Sequence, residues 1–343
     1  MVLVFIMAAA LWGVGWLMKL PVRARLMMLG LLYVGVLIVQ VAFPDGHALR
    51  VATGGSKEAW LGLGVILALV LGYRALLGKL RARARPLEKP KPQGAFRPAE
   101  LERYARHIVL REVGGPGQKR LKDAKVLVIG AGGLGSPALM YLAAAGVGTI
   151  GVVDDDVVDA SNLQRQVIHT DARIGMPKVF SAEEAMRALN PFITIEPYQR
   201  RLEEKDAVAL VADYDLILDG TDNFATRYMV NRVAVATGKP LVAAAITQWE
   251  GQISLYHPAT GAPCYQCIFP KAPAAGLAPS CAEAGVVGAL PGVVGAMMAV
   301  EAIKEITGAG ETLRGRMLLY DALYAENRQV TLKRRDDCPV CGG

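Results

Sequence analysis

Residues 99–343 are predicted to fold as an α/β domain with a mostly parallel sheet, and three observations predict it. An apolar strand, KVLVI (Lys125–Ile129), runs straight into the glycine-rich turn GAGGLG (Gly130–Gly135). Strand-length apolar runs then alternate with helix-length runs as far as Ala244. Acids stand where strands end, at Asp154 and Asp219. Strands alternating with helices imply a parallel sheet covered on both faces. A glycine turn that opens a helix is where such Rossmann-like sheets hold a phosphate, on the helix N-terminus.

The elements follow in order. PAELERYARHIVL has a helical pattern, followed by a GGPGQ loop, a short helix and the first strand. Helices are expected over Leu134–Ala145, Lys178–Leu189, Glu203–Ala212 and Ala225–Thr237. Strands are expected over Thr149–Val153, Ile193–Pro197, Asp215–Asp219 and Pro240–Ala244. GQISLYH, GRMLLYDA and ENRQVTLKRR read as strands of a mixed C-terminal region. GVVGAMMAVEAIKEITG reads as a buried helix ending at Gly308.

The N-terminal part is different in kind. Met1–Met18, Leu26–Phe43 and Ala59–Gly78 are apolar runs of about the length that crosses a hydrocarbon core of roughly 30 Å. The third reads as the weakest, with Arg74 near its end. Residues 1–80 are therefore expected to form a membrane segment of about three transmembrane helices. No basic residue precedes the first run and further runs follow, which disfavours a cleaved signal peptide. Lys19, Arg23 and Arg25 lie between the first two runs, and a basic stretch beginning at Lys79 follows the third. By the positive-inside rule the C-terminal part faces the cytoplasm and the N-terminus faces outward, a multi-pass arrangement in the inner membrane. Residues 81–98, basic and proline-rich, read as a linker to the domain 99–343.

Charge is divided in the same way. Residues 1–92 hold 12 Lys/Arg and 3 Asp/Glu, whereas the whole chain is only +7. The remainder is slightly acidic, which gives no electrostatic reason for a nucleic-acid partner.

Several motifs carry chemistry. Gly130, Gly132, Gly133 and Gly135 let backbone approach a phosphate. Asp154 ends the second strand, where a carboxylate accepts from ribose hydroxyls. The run Ser161, Asn162, Leu163, Gln164, Arg165 adds an amide and a guanidinium, and GMPK adds Lys178. In DGTDN, Asp222 and Asn223 stand at a strand's carboxyl edge. A nucleoside triphosphate needs several cations, and an extra acid suits Mg²⁺. Together these residues favour a nucleoside triphosphate over NAD. CYQC (Cys264, Cys267) and CPVCGG (Cys338, Cys341) read as one tetrahedral four-cysteine site for structural Zn²⁺.

In this order GAGGLG, DDDVVDASNLQRQ, GMPK, DGTDN and the two CxxC pairs resemble the MoeB/ThiF/HesA family of ubiquitin-activating-enzyme-like adenylyltransferases, and MoeB most. The resemblance implies adenylation by ATP of the C-terminal Gly-Gly carboxylate of a small ubiquitin-like sulfur carrier, with molybdopterin or thiamine synthesis as the pathway. It implies that Asn162, Arg165 and Lys178 contact phosphates, and that Asp222 positions Mg²⁺ and the reacting phosphate. It also implies a homodimer in which Arg106 reaches the partner's active site. Cys281, after the run Pro270–Pro279, is a candidate nucleophile toward an acyl-adenylate, or an inert thiol. No sulfurtransferase domain follows the CxxC pairs, so a separate sulfur donor protein is expected.

Other readings stay open. A relative that activates a small molecule or a tRNA base needs no carrier. An NAD(P)-dependent oxidoreductase would use the glycine turn and Asp154, but has no need of Arg165, Lys178 and Asp222. A catalytically dead scaffold has no need of any of them.

Overall fold

The computed structural model describes residues 1–54, 56–83, 94–274 and 284–342. The chain forms two compact units, Met1–Lys91 and Pro92–Gly343. Most of the expected linker, and Cys281, lie outside the described residues.

The first unit holds helices α1 (Val2–Leu17), α2 (Val22–Ala42), α3 (Ala48–Thr53) and α4 (Lys57–Arg83). The sequence reading has no counterpart of the short α3. The Met1 ammonium donates to the Thr53 carbonyl at 2.5 Å, so the first residue meets the α2–α4 connection at one end of the unit. Helix α1 then carries the chain to the opposite end, where the basic Lys19–Arg25 turn lies. Gln40, polar within the second apolar run and 1% exposed, is used to tie that connection down. Its amide donates to Thr53 Oγ1 at 2.8 Å and accepts from Arg50 Nε at 3.3 Å.

Among the described residues two stretches are long and apolar enough to cross a membrane, Val22–Ala42 and Lys57–Leu77, each with mean hydropathy 2.0. Only 11% and 6% of them is buried, so neither is a covered core helix. The shortest of the three long helices is α1, not the one on the third run. Helix α4 extends at both ends through Lys, Glu, Ala, Leu and Arg, which are good helix formers.

The second unit is built on one eight-stranded sheet, order β3-β2-β1-β4-β5-β6-β7-β8. Its strands are β1 (Lys125–Ile129), β2 (Thr149–Val153), β3 (Thr194–Tyr198), β4 (Leu216–Asp219), β5 (Leu241–Ile246), β6 (Glu250–Tyr256), β7 (Arg316–Asp321) and β8 (Glu326–Thr331). The pairs from β3 through β5 are parallel. Those from β5 through β8 are antiparallel, which is the mixed region the sequence predicts.

Side-chain alternation along β1 feeds two cores. Val126 and Val128 pack under α7 (Gly135–Ala145), α8 (Lys178–Leu189) and α12 (Ala289–Thr307). Leu127 and Ile129 pack under α9 (Glu204–Ala212) and α10 (Phe224–Thr237) on the other face. All four are nearly inaccessible to solvent, and each contributes about 1.5–3 kcal/mol by leaving water.

Two helices precede β1: α5 (Pro98–Ile108) and α6 (Gly114–Asp123). The GGPGQ segment is not the loop that its composition suggests; it forms the first turn of α6. Pro116 tolerates a first turn because its missing N–H has no helical partner there. Gln118 is buried and donates to Ala145 O at 2.8 Å. Gly117 is buried against Val113 and faces Thr307 of α12, where a Cβ would be 3.0 Å from Val113 Cγ1 and 3.6 Å from Thr307 Cβ. Tertiary packing overrides the local turn signal.

Candidate functional site

The strand order reverses at β1, which is flanked by β2 and β4. Ile129 is paired with Val153 on one side and with Asp219 on the other. The three strands therefore end level, and the next residues, Gly130, Asp154 and Gly220, leave the sheet together. Ligands of open α/β sheets collect at such a switch point. A cavity of about 1110 Å³ opens there, lined by Gly130, Gly132, Gly133, Asp154, Arg165, Lys178, Asp222 and Asn223 among others.

The glycine turn is as tight as its sequence suggests. Gly130 has φ +94°, which favours glycine. A Cβ on Gly135 would collide with the Gly130 carbonyl. Gly135 itself does not line the cavity; its bare Cα lets the turn close. Gly133 sits against Pro291 of α12, where a Cβ would be 3.2 Å from the proline ring.

Asp154 is held from both sides. One carboxylate oxygen accepts from Ala131 N at 2.7 Å and the other from Asp156 N at 2.9 Å. Burial pushes its carboxyl above the ordinary range, against the pull of the Lys178 ammonium and the two N–H donors. Asp156 makes an ion pair with Lys178 at 2.7 Å. The Lys178 side chain is only 5% exposed, whereas Asp156 faces solvent. Lys178 is the first residue of α8, where its ammonium lines the cavity. Asp154, Asp155 and Asp156 bring their oxygens within 4.8 Å of one another. Because Asp154 and Asp156 are already engaged, they do not form a free acidic cluster.

The SNLQR run divides its labour. Arg165 lines the cavity, and its guanidinium donates to Asn162 Oδ1 at 2.8 Å and to Ser161 O at 3.3 Å. Ser161, Asn162, Leu163 and Gln164 do not reach the cavity wall within this chain. Asn162 aims Arg165, Ser161 hydrogen-bonds Asp159, and Gln164 packs on Gly288 at the start of α12.

The two acids of DGTDN also differ. Asp219 is 1% exposed and accepts from Thr221 N at 2.9 Å and Thr221 Oγ1 at 2.6 Å. It shapes the turn. Asn223 caps α10 by accepting from Thr226 N at 2.8 Å. Between them Asp222 projects its carboxylate at the cavity, with no ion-pair partner among the described residues. Arg106 lies exposed on α5, away from this cavity within one chain.

Other residues complete the wall that motif reading did not single out. Arg227 is 5% exposed and donates to Thr221 O and to Ala244 O, tying the β4–α10 turn to β5. Its only signal is an arginine in the first turn of the helix that follows DGTDN, at a position the fold buries. Gln166, Arg200, Arg201 and Lys271 also line the cavity.

The four cysteines come together and all are buried. Sγ separations are 3.9 Å for Cys264–Cys267, 3.6 Å for Cys264–Cys338 and 3.4 Å for Cys267–Cys341. A tetrahedron with metal–sulfur bonds of about 2.3 Å has edges of about 3.8 Å, whereas a disulfide needs about 2.05 Å. The cluster is thus compatible with zinc. Asn231 on α10 accepts from Tyr265 N at 2.9 Å, and its Nδ2 is buried without a partner beside Cys264. An unused donor next to a buried sulfur suits a thiolate, the form a metal binds. After Cys264 runs the short α11 (Tyr265–Ile268), which includes Cys267 and whose Tyr265 ring lies 4.8 Å from that of Phe269, tilted by 35°, in the cavity wall.

The chain matches the ThiF family over residues 104–340. It belongs to the ThiF family. Relatives agree: it is 52% identical over 247 residues to the "Sulfur carrier protein adenylyltransferase" of Thermus thermophilus, covering 71% of this chain and 91% of that one. It is also 52% identical to the "Probable adenylyltransferase/sulfurtransferase MoeZ" of Mycobacterium tuberculosis, over 73% of this chain but only 64% of MoeZ. Among solved structures, Escherichia coli MccB with ATP superposes with a TM-score of 0.59 at 23% identity, over 66% of this chain and 70% of that one. That likeness shows the ThiF fold alone.

Removing the countercharge of Lys178 tests the site as an anion cradle. Asp156→Asn strands a buried ammonium, at a cost of about 1–3 kcal/mol. We expect a lower Tm than wild type, and a larger stabilisation of the variant by added inorganic pyrophosphate. Equal pyrophosphate shifts in both proteins contradict the cradle.

Proposed function

We infer that the chain uses ATP to adenylate the C-terminal Gly-Gly carboxylate of a ubiquitin-like sulfur-carrier protein. The observation that carries this is the convergence of Asp154, Arg165, Lys178 and Asp222 on one cavity at the switch point of a ThiF-family sheet. A relative half identical to this chain, named for that activity, supports it.

The roles follow from geometry. The glycine turn and the N-terminus of α7 receive phosphate through backbone N–H groups. Asp154 keeps acceptor capacity for ribose hydroxyls. Arg165 and Lys178 neutralise the triphosphate so that a carboxylate can approach it. Asp222 is the acid to hold Mg²⁺, which when bound would draw charge from the phosphates. The carrier's carboxylate forms the new O–P bond at the α-phosphorus, and the bond to the β-phosphate oxygen breaks to release pyrophosphate. The attacking carboxylate is already ionised, so no general base is required. Positioning and charge compensation do the catalysis.

Further parts of the proposal have separate supports. Arg106, exposed on a helix anchored by buried Glu100 and Tyr104, is proposed to serve the partner's site in a homodimer. The four-cysteine cluster is proposed to hold a structural Zn²⁺ that fixes α11. A separate protein is proposed as the sulfur donor. Molybdopterin synthesis is the first pathway we propose, with thiamine next; activation of a small molecule or tRNA base without a carrier is the alternative. The first unit is proposed to anchor the enzyme in the inner membrane, with the catalytic unit on the cytoplasmic side. Its Met1–Thr53 contact and basic Lys19–Arg25 turn lie at opposite ends, as the positive-inside rule requires.

Three measurements follow. Asp222→Ala or Arg165→Ala should reduce carrier-dependent ATP–pyrophosphate exchange at least about 100-fold; exchange retained in both refutes the assignment. Purified protein should carry about one zinc per chain, and Cys338→Ser should lose it; full zinc in that variant removes the four-cysteine site. A reporter active only outside the cytoplasm, fused after Arg85, should stay silent, and a strong signal reverses the topology.

A further inference from the structure

His169 belongs to none of the motifs above, yet it bridges the glycine turn and the helix that bears Lys178. It is 5% exposed and both ring nitrogens are engaged. Nε2 lies 2.9 Å from the carbonyl of Ala131, inside the glycine turn. Nδ1 lies 2.9 Å from Ser181 Oγ on α8, one turn beyond Lys178.

A carbonyl can only accept, so Nε2 carries the proton and donates. Nδ1 then accepts from the Ser181 hydroxyl. Burial holds the imidazole below its ordinary range, and the neighbouring Lys178 and Arg173 cations add to this. The neutral ring with hydrogen on Nε2 satisfies every partner.

Ala131 is the residue the ring controls. Its N–H donates to Asp154 at 2.7 Å, and its carbonyl accepts from His169. One residue of the glycine turn is therefore gripped at both ends, by the ribose acid and by the histidine. Gly130 and Gly132, on either side, have no side chain with which to hold themselves. A turn made of glycines is entropically expensive to order, and this clamp orders it before a ligand arrives.

We propose that His169 is a positioning residue, which fixes the glycine turn through Ala131 and sets it in register with the α8 helix that bears Lys178. This rests on the function proposed above only in taking the turn to be a phosphate cradle.

Equilibrium binding of α,β-methylene ATP with Mg²⁺, by calorimetry on the full-length protein, tests it. His169→Leu keeps the bulk and removes the donor. His169→Gln restores a donor near the Nε2 position. We expect roughly tenfold weaker binding for His169→Leu, as the loss of one buried hydrogen bond gives. His169→Gln should bind within about threefold of wild type. A merely structural histidine predicts something else: both variants would lower Tm while their folded fraction bound the analogue as wild type does. That result overturns the proposal, as does a glutamine variant no better than leucine. The readout separates the two levels of inference. Wild type that binds the analogue but shows no carrier-dependent exchange defeats the carrier assignment and leaves the clamp to be judged by the variants.

Discussion

The site depends on three parallel strands ending at one level. Ile129 of β1 faces Val153 and Asp219 across its two ladders, and the backbone hydrogen bonds continue one residue further. Gly130 N donates to Val153 O at 2.8 Å, and Gly220 N donates to Ile129 O at 3.0 Å. Because the ladders run to the edge, the turns after β1, β2 and β4 begin side by side. A slip of one residue in either pairing would flip side chains to the other face and move Asp154 or Asp222 out of the cavity. The apolar alternation of β1, with both its faces buried, is what makes such a slip costly.

Around that edge the protein spends its polar groups in two ways. Some are consumed in making turns: Asp219 with Thr221, Asn223 with Thr226, and Asn162 with Arg165. Others are left for a ligand: Asp222 and the guanidinium face of Arg165. Lys178 stands between the two, ready for an anion but neutralised by Asp156. The far wall is made differently. The cysteine cluster and Asn231 hold α11, and α11 delivers Tyr265 to the cavity. The cysteine cluster and the shape of the site are mechanically joined through those few residues.

Much of this was legible in the sequence. Apolar alternation and glycine punctuation place most strands and helices of the second unit within a residue or two, and motif spacing brings Asp154, Arg165, Lys178 and Asp222 to one edge. What the sequence conceals is the division of labour within a motif. Asp219 and Asp222 are both acids in DGTDN, and only a backbone shows that one bonds its own turn. Asp156 is one of three consecutive acids, and only the fold sets it beside Lys178. GGPGQ read as a loop because local propensity says so, while Gln118 and the contact with α12 make it helical. Arg227 and His169 carry no motif at all; burial beside the site is what marks them.

In the first unit the sequence conveys composition and leaves arrangement open. Apolar runs announce helices, but not the short α3, nor the use of Gln40 to fasten it. The central claim concerns the second unit: a carboxylate, not a hydride acceptor or a base, meets the α-phosphate in this cavity. The most direct measurement mixes the purified protein with Mg-ATP and small proteins of the same organism that end in Gly-Gly, and analyses those proteins by mass spectrometry. The account predicts a carrier heavier by one adenylyl group, formed with wild type and absent with Asp222→Ala. A carrier that stays unmodified while a small molecule or a nucleoside becomes adenylated contradicts it.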